Sequence, residues 1–354
     1  MKRGIPYNTL ESDSLVKLKK LGIESTVLDA RLAWAATDTF RRYVAPLRGA
    51  ARVHPTYLPT QASGRWSVTN PPLINFPDKA KAEKRGLPDL QACFIPDIGT
   101  WWLCSDWDAM HARFMAGMSD DLEDLKAFNE RLDIHTITTC RIFHLPLPPS
   151  WRESDIHNGP ACQDWRNDVK WNGKGDRRRH LAKTTRYSLL NAFDEKGVLE
   201  AKDIEELNVT PEELLSVGRE FLRAKPNMVA FKQNFCRDAI AKGEARSLLG
   251  RRRKLFGSDY RDKFKLAIAH FLQGTEVDIL ESTLNEVFRA FPEARLAWPS
   301  HDGIKLVFPT SLTVEEVFPR VKGIVEKPWL IGRHEIPLYA TWEVVRDDGS
   351  HLKL

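Results

Sequence analysis

Cysteine is scarce in this sequence: five residues among 354, an odd number with no C-x-x-C pair. This usage argues against a disulfide framework and a zinc ribbon, and it favours a reducing compartment. No run of 18 apolar residues occurs, and no apolar segment follows the basic start of the chain. The sequence therefore supports neither membrane spanning nor export, and it predicts a cytoplasmic protein.

Neither sign of charge dominates, and no internal repeat is visible. Lys and Arg number 53 against 48 Asp and Glu, which gives a formal net charge of +5. This mildly basic balance permits a nucleic-acid partner without requiring one. Apolar residues make up 42% of the chain, so a sizeable core is available. A disordered chain and a peptide-sized scaffold are thereby excluded.

The apolar spacing alternates between helical and extended patterns. A buried strand is predicted at Trp101–Cys104 and a hairpin around Asp302. Helices are predicted over residues 11–50, 109–118 and 176–193 and on both sides of Leu132, and irregular segments over residues 52–78 and 145–176.

Two aspartates lie where strands are predicted to end. Asp106 follows an apolar run, and Asp302 lies at the tip of the predicted hairpin. A carboxylate in such a place can bind a metal, but a helix cap or a salt bridge is the commoner role for a residue like Asp106. For Asp302 taken alone, an ordinary Asp-Gly turn is the favoured explanation. Local geometry cannot pair two residues so distant in sequence.

One helix carries an unusual stripe. Arg179, Lys183, Tyr187 and Asn191 are spaced four apart, so they line one face. Two cations and an aromatic ring can hold a polyphosphate and stack on a base, although a solvated basic face is the commoner explanation. A second basic cluster, residues 251–254, fits a nucleic-acid backbone or plain surface charge.

Taken in order, these segments resemble the polymerase module of the family A DNA polymerases. SGRWSVTNPPLINFP is similar to the TGR…PNLQNIP segment, SDWDAMHARFMAG to motif A, and RHLAKTTRYSLLNA to motif B. DIHT repeats the DIH of the family, and LLGRRR, LQGTEVDIL and SHDG follow in the family's order, the last like motif C. Seven such segments in the correct order are far more specific than any one of them.

The resemblance implies an α/β (α+β) fold of the right-hand polymerase type. It has an antiparallel palm sheet, helical fingers and a truncated thumb. The implied domains are thumb 1–58, palm 59–145 with 263–354, and fingers 146–262.

The resemblance also assigns roles to residues. Asp106 and Asp302 would hold two Mg²⁺ ions, for which Mn²⁺ can substitute, with help from the Trp107 backbone carbonyl. Lys183 would also protonate the leaving pyrophosphate. The implied nucleotide-binding residues are Arg179, Lys183, Tyr187, His135 and, at the sugar, His111. The implied DNA-binding residues are Arg65, Asn75, Gln273, His301, Arg251 and Arg252.

The sequence departs from the family's motifs in four places. His111 replaces the Glu that crowds the sugar 2′ position, Asn191-Ala192 replaces Tyr-Gly, Gly303 replaces Glu, and Ile74 replaces Gln. None of these changes removes an implied metal ligand, so we expect an active enzyme with altered fidelity and sugar selection.

Primer-template DNA and dNTPs are the implied partners, with no membrane. In the family, an exonuclease and most of the thumb precede the matched region. We therefore expect no 3′–5′ proofreading, weak DNA retention, and an accessory subunit for thumb, exonuclease or processivity function, in the nucleoid or a phage-infected cell. Two alternatives remain open: a weakly active or non-catalytic nucleic-acid-binding subunit, and a ribonucleotide-accepting enzyme like a primase or RNA polymerase.

Overall fold

The computed structural model describes residues 41, 49, 52–59, 61–75, 91–200, 209–257, 259–299 and 302–354. The chain divides into two compact units. One comprises Met1–Gln61, Trp66–Asp97 and Arg346–Ser350, and the other Ala62–Arg65, Ile98–Val345 and His351–Leu354. The helices predicted over residues 11–50 lie outside the described residues, apart from positions 41 and 49. The implied domain boundaries stay predictions.

Strands and helices occur in runs along the described chain. The strands are β1 Thr56–Leu58, β2 Ser67–Thr69, β3 Thr100–Trp107, β4 Glu244–Arg246, β5 Arg252–Lys254, β6 Arg295–Pro299, β7 Gly303–Pro309, β8 Pro328–Ile331, β9 His334–Pro337, β10 Ala340–Arg346 and β11 His351–Lys353. The helices are α1 Met110–Ser119, α2 Leu122–Asn129, α3 Ile134–Ile142, α4 Glu153–His157, α5 Gln163–Asp168, α6 Arg177–Asn191, α7 Pro211–Ala224, α8 Pro226–Lys242, α9 Tyr260–Ala290 and α10 Val314–Val325.

A five-stranded sheet of order β11-β10-β3-β7-β6 lies in the larger unit. β7 pairs antiparallel with both β3 and β6, and β10 pairs antiparallel with β11. β3 is buried along nearly its whole length because both of its edges are paired, as its apolar sequence TWWLCSDW predicts. Mixed helix and antiparallel sheet confirm the predicted fold class.

Side chains fix the helix starts next to the site. Asp133 accepts hydrogen bonds from the backbone of His135 and Thr136 at the start of α3, and Asp176 accepts one from Arg178 at the start of α6. Such caps satisfy backbone N–H groups that have no partner inside the helix. The break predicted near Leu132 is therefore confirmed, and its cause is the Asp133 cap.

The 31-residue helix α9 is apolar on several faces and runs through the larger unit. It packs against α1, α8 and α10. A helix that is apolar on several faces is buried in the interior of a protein, which explains the burial of α9. It also carries Gln273 and Glu276, whose surroundings are described below.

The prediction of an irregular segment over residues 145–176 is wrong in part. The segment contains α4, α5 and three-residue 3₁₀ helices at Pro160–Cys162 and Gly173–Gly175. Apolar side chains of this segment form a small core together with Cys140 of α3. Its members are Cys140, Ile156, Cys162, Trp165, Val169 and Trp171. Burial of these side chains orders the segment despite its prolines.

The smaller unit contains the two-stranded β1–β2 sheet. Residues 52–78, predicted to be irregular, thus include two short strands and a 3₁₀ helix at Leu73–Asn75. No helix among the described residues is long and apolar enough to cross a lipid bilayer.

Candidate active site

The sheet brings Asp106 and Asp302 together. β3 pairs Asp106 with Gly303 of β7, and the backbone N–H of Trp107 donates to the Asp302 carbonyl over 2.7 Å. The Asp302 carboxyl lies close enough to the Asp106 carboxyl to influence its pKa by charge and by hydrogen bonding. The predicted hairpin with an acidic tip is confirmed, and its tip lies beside the end of the central strand.

This pair is electrostatically strained. The pKa of Asp106 is raised to about 7 by desolvation first, then by the charge and hydrogen bond of Asp302 and by the charge of Asp108. Two carboxylates this close resist ionising together unless a cation lies between them. Hard anionic oxygens are the donors that Mg²⁺ prefers, so the residues present fit a divalent metal ion.

The pH dependence of stability tests this strain. The folded pKa of Asp106 lies above its ordinary value of 3.8, so ionisation is costlier in the folded state. Metal-free protein should therefore lose stability as pH rises from about 4 to about 7. Asp106→Asn should melt at a higher temperature than wild type at pH 8, and at nearly the same temperature at pH 4.5. Thermal unfolding in a chelator measures this, and identical melting at pH 8 would contradict it.

Trp107, the last residue of β3 and the neighbour of Asp106, is anchored by its side chain. Its indole is buried, and Nε1 donates to the Val325 carbonyl over 3.0 Å. This contact fixes the end of β3 and hence the position of Asp106. The use of the Trp107 carbonyl as a metal ligand stays a prediction.

Helix α6 presents Lys183 and Tyr187 to the same region. Burial raises the pKa of Tyr187, and the negative charges of Asp108 and Asp302 add to this effect, so the phenol lies near the carboxylates. Lys183 is exposed, and no ion pair or hydrogen bond engages its ammonium group within the described residues. It is therefore available to an anionic ligand.

Arg179 has a different environment. It is buried, and Asp133 accepts hydrogen bonds from its Nε and one terminal nitrogen over 3.1 and 3.0 Å. His157 lies 3.2 Å from the same carboxylate, and Glu153 lies 3.9 Å from the guanidinium. The predicted stripe is therefore not a uniform solvated basic face, because one of its two cations is paired inside the protein.

His135 lies at the start of α3, with its ring centroid 5.8 Å from that of Tyr187. Burial lowers its pKa to about 3, and the neighbouring cations Arg186 and Lys183 contribute to the shift. The imidazole is thus neutral at neutral pH. Its Nδ1 atom is buried without a hydrogen-bond partner in the described chain, so the ring keeps unused bonding capacity.

Two buried cations hold α6 in place. Arg186 binds Asp124 of α2 and Thr138 of α3. Lys232 of α8 donates to the carbonyls of Leu189 and Ala192 at the C-terminal end of α6, each over 2.6 Å. A cation at this end complements the helix dipole. The sequence analysis missed both residues.

Arg65 and His111 meet on a carboxylate that the sequence analysis did not single out. Glu276 of α9 is buried and accepts hydrogen bonds from Arg65 over 2.9 and 2.6 Å. His111 Nε2 lies 2.7 Å from the same carboxylate. The spacing Leu272, Glu276, Leu280 places a charge inside an apolar helical stripe, and this signal could have revealed it.

Two of the four residues in the basic cluster, Arg251 and Arg252, form ion pairs. Arg251 binds Asp278 over 2.7 Å and Glu281 over 2.8 Å, and Arg252 binds Glu244 over 2.6 Å. Gly64, at φ +87°, lies so close to Arg251 that a Cβ there would be 2.8 Å from the guanidinium. The DNA-binding roles of Arg251 and Arg252 stay predictions, with much of their charge engaged by carboxylates.

A cavity of about 300 Å³ lies beside α6. Tyr187 and Gln273, two residues predicted to contact nucleotide and DNA, both line it, together with Asn191 and Lys265. Its mixed lining suits a flat, partly polar group such as a base. The side chain of Asn75 and the whole of His301 lie outside the described residues.

Comparison with known proteins agrees with this arrangement. Residues 2–154 match the model of DNA polymerase family A. DNA polymerase I of Treponema pallidum (strain Nichols) is 24% identical over 289 residues, which are 78% of this chain and 26% of that protein. DNA polymerase I of Pseudomonas aeruginosa (strain PAO1) is 25% identical over 307 residues, 84% of this chain and 30% of that protein. This chain thus spans about a quarter to a third of these relatives.

A solved structure shares the fold. It is the POL domain of Pol1 from M. smegmatis in complex with DNA primer-template and dNTP, with a TM-score of 0.72 and 21% identity. The match covers 96% of this chain and 56% of that one. Residues 2–154 are thus similar to DNA polymerase family A, and the chain shares the fold of the Pol1 polymerase domain.

Proposed function

We propose that this protein is a template-directed DNA polymerase that adds dNTPs to a primer 3′-hydroxyl. The observation that carries the proposal is the meeting of Asp106 and Asp302 where β3 ends and β7 begins, near Tyr187 of α6. The same helix carries the exposed Lys183. Relatives named DNA polymerase I and a structural neighbour bound to primer-template and dNTP support it.

In this proposal Asp106 and Asp302 hold two Mg²⁺ ions, with the Trp107 carbonyl as a further ligand, and Mn²⁺ can replace Mg²⁺. The bound ions would activate the primer 3′-hydroxyl and neutralise charge on the triphosphate. The protein supplies the paired carboxylates, held in register by β3 and β7. The anchored Trp107 indole keeps that edge of the sheet in place.

The nucleotide is proposed to lie against α6. Lys183 binds the triphosphate and donates a proton to the leaving pyrophosphate, and Tyr187 stacks on the new base pair. His135 is neutral, so it binds a phosphate oxygen by donating a hydrogen bond and not through a positive charge. Arg179 is bound to Asp133, so its proposed role is indirect. It joins the start of α3 to α6, and its positive charge acts on the triphosphate from a distance.

The DNA is proposed to lie along the face that carries Arg65 and Gln273. In family A polymerases these positions face primer and template, where acceptors common to all correct pairs can be checked without reading sequence. Palm and fingers then correspond to the sheet and to the helices around α6. The absence of proofreading, the accessory subunit, and the nucleoid or phage setting stay predictions.

Replacement of Lys183 tests the nucleotide side of the site. Lys183→Ala should lower kcat/KM for dNTP roughly a hundredfold, because one preorganised cation at the developing charge is lost. Primer-template affinity should stay near that of wild type. Steady-state extension over a dNTP series measures the first quantity, and a duplex-binding titration measures the second. Lys126→Ala, at an exposed lysine of α2, is the matched control.

The opposite pattern would contradict the assignment. Unchanged dNTP dependence with weakened DNA binding would make Lys183 a backbone contact. The non-catalytic alternative predicts that no variant alters extension, because wild type itself would not extend primers.

One observation favours a second candidate function. His111 stands at the sugar-side position of motif A, and its ring is 21% exposed. An imidazole crowds a 2′-hydroxyl less completely than a longer carboxylate and can form a hydrogen bond with it. An enzyme that also accepts ribonucleotides is therefore the second candidate, and incorporation of matched rNTP against dNTP decides between them.

A further inference from the structure

Glu276 is the most buried carboxylate near the site for which the proposed reaction has no use. It is 1% exposed and lies in the middle of α9. A buried carboxylate is costly unless it is paired and hydrogen-bonded. Here two side chains from different parts of the chain bind the carboxylate of Glu276. Its burial is therefore compensated by specific contacts.

The two partners bind the same carboxylate from different segments. Arg65, which follows the positive-φ Gly64, binds both oxygens of Glu276. His111, in the first turn of α1, binds Oε2, the oxygen that also accepts from the Arg65 terminal nitrogen. The side chains of Arg65 and His111 remain 18% and 21% exposed. Each is held through its polar group, and neither side chain is fully enclosed.

We propose that Glu276 is a positioning residue that fixes the ring of His111 against the sugar of the incoming nucleotide and so sets the preference for dNTP over rNTP. This inference rests on the proposed function and deepens it. The same carboxylate also binds Arg65, for which the proposed function gives a role at the DNA.

The chemistry of the hydrogen bond determines how the ring is presented. Burial would raise the pKa of Glu276, but the contacts of His111 and Arg65 hold it below its usual range, so the carboxylate only accepts hydrogen bonds. His111 Nε2 must then carry the hydrogen. The ring is then held through Nε2, with its opposite edge directed away from Glu276.

Steric exclusion of a 2′-hydroxyl depends on this anchor. The ring of His111 also lies against Phe114, with centroids 6.4 Å apart, but the only hydrogen bond that the structure describes for it is to Glu276. Without that bond the χ angles of His111 are free to change, and the ring can turn away from the sugar. Exclusion should then weaken, whereas the space for a deoxyribose is unaffected.

Single-nucleotide incorporation with matched dNTP and rNTP tests the proposal. Glu276→Gln should reduce the dNTP/rNTP ratio of kcat/KM roughly tenfold, mainly through better use of rNTP. An amide cannot accept from His111 and from both nitrogens of Arg65 at once, yet it keeps the volume of Glu276. The melting temperature of each variant is measured alongside to show that the protein is folded.

A double-mutant cycle shows whether Glu276 acts through His111. In a His111→Ala background, Glu276→Gln should leave the ratio unchanged. Asp124→Asn is the matched control, since Asp124 is also a buried carboxylate in an ion pair, with Arg186. It should lower the melting temperature and leave the ratio at the wild-type value.

Several results would overturn the proposal. They are an unchanged ratio in Glu276→Gln, an equal change with and without His111, or a wild-type ratio near one that neither variant alters. Failure of wild type to extend a primer with any nucleotide would instead count against the proposed polymerase function, so the two failures are distinguishable.

Discussion

Alanine at Asp302 is expected to abolish primer extension, with a loss of three orders of magnitude or more. The carboxylate cannot be replaced by a methyl group as an anionic oxygen ligand, and charge stabilisation by a bound metal is worth several kcal/mol at the transition state. Asp106→Ala should behave alike, because β3 pairs Asp106 with Gly303, the residue next to Asp302. Extension of a labelled primer-template in Mg²⁺ measures the effect.

Three controls make this result interpretable. Asp164→Ala removes an exposed carboxylate from the first turn of α5 and should extend primers like wild type. Duplex binding by Asp302→Ala should persist, since loss of an acidic side chain does not remove a cation that contacts phosphate. The double variant should be no worse than either single one, because both act in one unit. Near-normal extension by either single variant would refute the two-metal assignment.

Replacement of Arg186 by alanine should cause the largest loss of stability, about 3–5 kcal/mol. Arg186 is 2% exposed and binds Asp124 and Thr138. Lys225 binds the same aspartate over 2.6 Å. Removing the arginine leaves a buried carboxylate with part of its compensation gone, and it leaves a cavity beside Phe221, over whose ring the guanidinium lies.

Urea unfolding of Arg186→Ala and Lys183→Ala compares two cations on one helix. Lys183 is exposed, so its loss should change the free energy of unfolding by less than about 0.5 kcal/mol. The stability effect and the activity effect should thus separate along α6. Equal stability of the two variants would show that the buried network is not needed to hold the helix.

Much of the fold was predictable from periodicity. The run Trp101–Cys104 predicted the central strand, and the apolar spacing of 176–193 predicted α6, because both elements bury the faces that their patterns mark. The segment 145–176 was predicted to be irregular and not helical. Its prolines and turn residues indicated a loop, and only packing of Trp165 and Trp171 against Cys162 orders it.

The site was less accessible to sequence reasoning than the fold. Asp106 and Asp302 could be paired only through the family resemblance, since nothing local joins residues so far apart. The charge states of their neighbours depend on tertiary contacts. Arg179 is occupied by Asp133, and Arg65 and His111 are joined by Glu276. Pairings of this kind come from the packing of α9 and α3 against other segments, which no single-segment pattern contains.

The central claim, template-directed DNA synthesis, is tested most directly by one measurement. Wild-type protein and Mg²⁺ are combined with each of the four dNTPs singly and with each of four primer-templates that differ only in the first unpaired template base. We predict addition of one nucleotide wherever the dNTP is complementary and at least about a hundredfold slower addition elsewhere. Addition that ignores the template base, or no addition in any of the sixteen combinations, would contradict the account.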